Sequence, residues 1–161
     1  AGYVNPNYLV DRVYSSNPSG LEVWTEHCQK YYDMMDLDIT GFLLNSAMAP
    51  TNEVLDAYTK FSPAGIITHS FAAKGQMYGD VPLFGMTSDA GAENANVADV
   101  ADTIYGFTQS RMAGPKFYIF RSVLCSPTFI DSIVTIIQEK DPNIEIVDPY
   151  TFMALVEEAL K

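Results

Sequence analysis

No stretch of this sequence comes near the roughly 20 consecutive apolar residues that a helical membrane span requires, so membrane insertion is not expected. It also lacks a G-x-S-x-G elbow, a phosphate-binding glycine loop, an H-E-x-x-H pair and any Cys–His spacing suited to zinc. Those absences remove most serine-hydrolase, nucleotide-binding and zinc-peptidase readings, and neither a metal nor a cofactor is expected. Basic residues are scarce: 9 Lys and Arg stand against 20 Asp and Glu, a net charge of −11. Such a surface repels phosphate backbones and anionic lipid, which argues against nucleic acid as a partner and leaves neutral or cationic ligands. The two cysteines, Cys28 and Cys125, form no C-x-x-C and read as buried free thiols. There is no initiator methionine and no secretory leader, which suggests a removed leader or a piece of a longer protein.

What is present is ample for a core. Of 161 residues, 48% are hydrophobic and 18% charged, the balance of a globular chain that fits a single α/β domain over 1–161. Along it, two patterns alternate. "GLEVWTEHCQKYYDMMD" sets Leu21, Trp24, Cys28, Tyr31 and Met35 at helical steps of three and four. "TNEVLDAYTKF" is a helix capped by Thr51, with Val54, Leu55, Tyr58 and Phe61 facing inward. Further helices are expected over "NVADVADTIYGFTQSRM", over "SPTFIDSIVTIIQEK" with Ser126 as cap, and over "DPYTFMALVEEAL" with Asp148 as cap.

Between them, "DITGFLLN", "AGIITH", "VPLFGM", "KFYIFR" and "NIEIV" read as strands, and "SFAAKGQMYGD" as a loop or a single helical turn. Strands apolar on both faces and separated by amphipathic helices predict a parallel sheet of about five strands with helices on both faces. Flavodoxin-like topology and part of a (β/α) barrel fit this pattern equally well.

Ligands in parallel α/β folds bind beyond the carboxyl ends of strands. That rule nominates Asn45, His69 and Arg121 as substrate-binding residues and the run "MTSDAGAEN", with Asp89, as a source of carboxylate chemistry. The opening loop adds Tyr3, Asn5, Asn7, Tyr8 and Asp11. Structural roles compete at each position. A strand-end histidine can be held under a loop, an arginine among so many acids can form an internal ion pair, and Asp148 has a cap to make. His27, beside an apolar stripe, reads as packing. The stretch around Asp89 can be a solvated lead-in to the next helix.

"AGYVNPNYL" resembles the motif that names the GxGYxYP family of bacterial glycoside hydrolases. Gly2, Tyr3 and Pro6 match, Asn5 stands where the motif has tyrosine, and the first motif glycine would precede residue 1. "DITGFLLN" and "FYIFRSVLCSPTFIDSIV…IEIVDPYTFMAL" are similar to the C-terminal domain of that family, so the likeness covers nearly the whole chain. The resemblance implies a carbohydrate-active, extracytoplasmic or secreted bacterial protein whose partners are carbohydrate and the missing N-terminal part of the same protein. Hydrolysis would need an acid and a base or nucleophile carboxylate flanking the glycosidic bond. Asp89 and Asp11 are the candidates for these two roles, with Tyr3, Asn5 and Tyr8 lining the sugar. The alternative is a non-catalytic carbohydrate-binding or interaction module of a larger extracellular protein, and a third reading is a structural half-domain without a ligand.

Overall fold

Apolar spacing and side-chain caps place the helices of this protein. Its computed structural model describes residues 6–11, 16–43, 49–69, 71–92, 94–109 and 116–161. Five α-helices form: α1 (Gly20–Met35), α2 (Asn52–Thr59), α3 (Val97–Thr108), α4 (Pro127–Lys140) and α5 (Pro149–Leu160). Thr51, Ser126 and Asp148 cap α2, α4 and α5 as the sequence predicts. Ser19 adds a full capping box to α1: its hydroxyl accepts from the Glu22 amide, and the Glu22 carboxylate accepts from the Ser19 amide.

The strands are β1 (Ile39–Leu43), β2 (Gly65–Thr68), β3 (Gln76–Tyr78), β4 (Val81–Gly85), β5 (Ser88–Ala92) and β6 (Phe120–Val123). They do not form one parallel sheet of about five strands, in either a flavodoxin-like or a barrel arrangement. A four-stranded mixed sheet has the order β1-β2-β4-β3, and a separate two-stranded parallel sheet joins β5 to β6.

Three local features account for the difference. The stretch expected to be a loop, "SFAAKGQMYGD", contains β3, which runs antiparallel to β4 with Tyr78 opposite Val81. Gly79 opens that two-residue hairpin at φ 57, the backbone that a type II′ turn assigns to glycine. The run after Thr87 extends as β5 instead of leading loosely into a helix. Finally, "NIEIV" is not a strand. Asp141 accepts hydrogen bonds from both the backbone and side-chain amides of Asn143, forming a local turn that holds its carboxyl below the usual range.

The chain forms two compact units, one made of 1–85 with 148–161 and the other of 86–147. In the first, β2 and β4 are buried along their whole lengths. Ile66 and Leu83, paired across these parallel strands, join Leu21, Cys28, Val54, Leu55, Tyr58 and Phe61 from α1 and α2. Strand alternation turns the next residues to the opposite face. There Phe84 meets the Phe152 ring of α5 edge-on at 5.1 Å, and a Cβ added at Gly65 (φ 153) would lie 2.5 Å from Met153. Removing each buried aliphatic side chain from water is worth about 1.5–3 kcal/mol. In the second unit, Ala90 of β5 packs with Val100 and Ala101 of α3 and Ile133 and Ile137 of α4. Ile144, from the segment expected as a strand, packs against this cluster too.

At the end of β4 the backbone itself sets the fit. The Gly85 amide donates to Ala72 O at 2.8 Å, and a Cβ on Gly85 would collide with Phe71 O and stand 2.8 Å from Ala73 N. Neither backbone atom can swing aside, so Gly85→Ala should cost about 1–3 kcal/mol in denaturant unfolding. An unchanged midpoint would contradict this packing.

Asp148 makes a pH prediction. Its carboxylate accepts from the Thr151 hydroxyl at 2.6 Å and from the Thr151 and Tyr150 amides, and these bonds hold its pKa below the ordinary value. A lowered folded-state pKa contributes stability that is complete above the unfolded value and is lost as pH falls through the folded one. Thermal midpoints should therefore drop more steeply below about pH 4 for the wild type than for Asp148→Asn, which keeps a cap that does not titrate.

Candidate functional site

The carboxyl edge of the four-stranded sheet collects the first group of nominated residues. Leu43 of β1 pairs with Thr68 of β2, so these two strands end side by side. His69 follows Thr68 directly and is half-buried. The Thr68 hydroxyl donates to Phe71 O, which closes the backbone into a tight bend immediately after His69. Ala72 in that bend has φ 59, and the bend lies against the end of β4 through the Gly85 contact.

The opening segment packs beside α1 and α2. Pro6–Leu9 forms a 3-10 turn. Leu9 and Val10 pack onto the core that α1 and α2 share. Asn7 then fixes the position of the turn: its Nδ2 donates to Ala49 O and its Oδ1 accepts from the Thr51 amide, both at 3.1 Å. Ala49 and Thr51 lead into α2, so the side-chain amide of Asn7 fastens the turn to the start of that helix. Tyr8, next in sequence, is 70% exposed, and Asp11 is exposed just beyond. Tyr3, Asn5 and Asn45 lie outside the described residues.

Asp89 and Arg121 belong to the second unit. They are direct partners across the β5–β6 pair, and Arg121 Nε donates to Asp89 Oδ1 at 2.6 Å. The pair lies one residue in from the start of each strand, away from the carboxyl ends at Ala92 and Val123. Nearby polar groups also bind the sheet. Thr87 Oγ1 accepts from the Ile119 amide at 3.1 Å, and Ser122 Oγ donates to Ala90 O at 2.6 Å. Among the described residues, no three His, Cys, Asp or Glu side chains are grouped to hold a metal ion.

Of the nominated residues, Tyr8, Asp11 and His69 thus fall in the first unit, while Asp89 and Arg121 fall in the second. His27, expected to pack, is exposed, with its ring 4.6 Å from that of Tyr31. Cys28 and Cys125 are both free thiols; Cys28 is buried, which raises its pKa, whereas Cys125 is partly exposed. No helix among the described residues is long and apolar enough to cross a membrane.

Comparison with family models gives one match to the chain. The GxGYxYP putative glycoside hydrolase C-terminal domain matches residues 1–157. The chain belongs to that family. The match takes in residues of both compact units and ends within α5. Comparison with curated proteins and with solved structures gave no match. Pro6 is buried at the start of the 3-10 turn.

Asn7 should be the residue on which this arrangement hinges. Asn7→Ala removes the bonds to Ala49 O and the Thr51 amide, so amide exchange at Thr51 should accelerate by about tenfold or more while exchange in α4 stays unchanged. Equal protection of Thr51 in the two proteins would mean that the turn is held by other contacts.

Proposed function

We propose that this domain takes part in glycoside hydrolysis and receives a glycan chain at the carboxyl edge of the four-stranded sheet. The observation that supports the reading is the pair of Asn7 hydrogen bonds, which tie the segment carrying the sequence resemblance to the start of α2; α/β folds bind ligands beyond the carboxyl ends of strands. Tyr8 offers an exposed ring on which a sugar can lie. Asp11 supplies a carboxylate and His69 a group able to donate or accept at a sugar hydroxyl. Tyr3, Asn5 and Asn45 are further sugar-binding residues in this reading, nominated by the sequence alone. The net charge of −11 suits a neutral glycan better than a polyanionic one. The same reading carries a bacterial, extracytoplasmic location, where polymeric glycans are met.

Hydrolysis would need two carboxylates; Asp89, the other carboxylate that the sequence nominates, belongs to the second unit, where it is bonded to Arg121. The ion pair also favours a second reading. A carboxylate bonded to the guanidinium of its cross-strand neighbour has a structural role to perform, which fits a domain that binds glycan without cleaving it.

A panel of neutral plant and bacterial oligosaccharides, tested by titration calorimetry and by release of reducing ends, separates these readings. Tyr8→Ala should weaken binding about tenfold, the loss of roughly 1.4 kcal/mol of ring contact. Asp11→Asn should abolish release while binding persists. Tyr8-dependent binding without any release by the wild type would establish the non-catalytic reading. Failure of every glycan to bind would overturn both.

A further inference from the structure

Helix α1 has more apolar surface than its core face uses. Spacing in the sequence predicts an inward stripe of Leu21, Trp24, Cys28, Tyr31 and Met35, but the structure turns the last two outward. Leu21, Thr25 and Cys28 are buried, and Tyr32, not Tyr31, packs on Phe61 with ring centroids 4.9 Å apart. The outward face then carries Val23, His27, Tyr31 and Met34 at steps of four, four and three, with Met35 alongside. Val23 is 54% exposed, Met34 71% and Met35 64%. Single exposed apolar residues are ordinary, whereas a row along three turns of one helix is a patch.

A flank of acids borders this row. Glu22, Glu26 and Asp33 follow one another along one side of α1, and Asp36 closes its C-terminus. Lys30 is the only Lys or Arg in the helix, and its alkyl stem can lie along the apolar row while its ammonium reaches water. A second copy of the chain is a poor occupant, because antiparallel pairing would set Glu26 and Asp33 against their own counterparts and each copy brings a net charge of −11. Anionic lipid is disfavoured on the same ground.

We propose that the outward face of α1 is a docking surface for an amphipathic helix with a basic flank. A straight row of side chains on a helix receives another helix along its length by ridge-into-groove packing. Methionines suit such a row because their flexible side chains conform to the partner. Lysines or arginines beside the partner's apolar stripe would lie opposite Glu26 and Asp33 and set its orientation. This surface goes beyond the glycan reading and does not depend on it.

The test uses the whole 161-residue chain and two fluorescent synthetic helices that share one leucine stripe, one flanked by lysines and the other by glutamates. The lysine-flanked helix should bind at least tenfold more tightly and protect the amides of α1 from exchange. Val23→Asp with Met34→Asp should abolish binding. Glu26→Lys with Asp33→Lys, two exposed changes that leave the core face untouched, should reverse the preference between the two helices. Equal affinity for both helices, protection elsewhere in the chain, or a dimer of the free protein with α1 already protected would each overturn the proposal.

Discussion

Burial of β2 and β4 on both faces is the constraint from which the first unit follows. Ile66 and Leu83 press toward α1 and α2, while Gly65 and Phe84 require a cover on the reverse side. Strands apolar on both faces cannot leave one of them in water, and α5 supplies the second cover. Its residues Phe152 and Met153 fit against Phe84 and Gly65 so closely that glycine is the only side chain Met153 leaves room for at position 65. The bend after β2, the close approach at Gly85 and the emergence of His69 beside the end of β1 all depend on those two strands being fixed.

Much of this was legible in the sequence, and the exceptions have identifiable causes. Helices announced themselves through caps and spacing, because Thr51, Ser126 and Asp148 satisfy amides that any helix start leaves open. The number and direction of strands were harder to read. Gly79-Asp80 between short strands is a hairpin signal, but the polar residues before it made the stretch look like a loop. "NIEIV" has the composition of a strand, yet Asp141 and Asn143 satisfy one another locally, and the chain turns before it can extend. In α1, a spacing argument alone could not decide between Tyr31 and Tyr32, since both lie at helical steps from Cys28.

The site was readable one residue at a time but not as a constellation. Arg121 among many acids raised the possibility of an internal ion pair, and Asp89 is its partner because register sets the two residues opposite each other. Nothing in the sequence marks Asn7 as the fastener between distant segments, because its bonds go to backbone atoms at Ala49 and Thr51. Side chain-to-backbone contacts over such separations leave no composition or period behind. The family match, over residues 1–157, extends into both units.

The first unit is interrupted in sequence: 86–147 form the second unit before the chain returns as α5. On a ribosome, the completing helix is made only after that whole insert. The hydrophobic cluster of 86–147 is drawn from within that segment, which can fold as soon as it emerges. The earlier strands must wait through that interval with Ile67 and Phe84 uncovered on one face. Such a chain is most exposed to mispairing until α5 has been made, and a chain lacking α5 would keep that exposure.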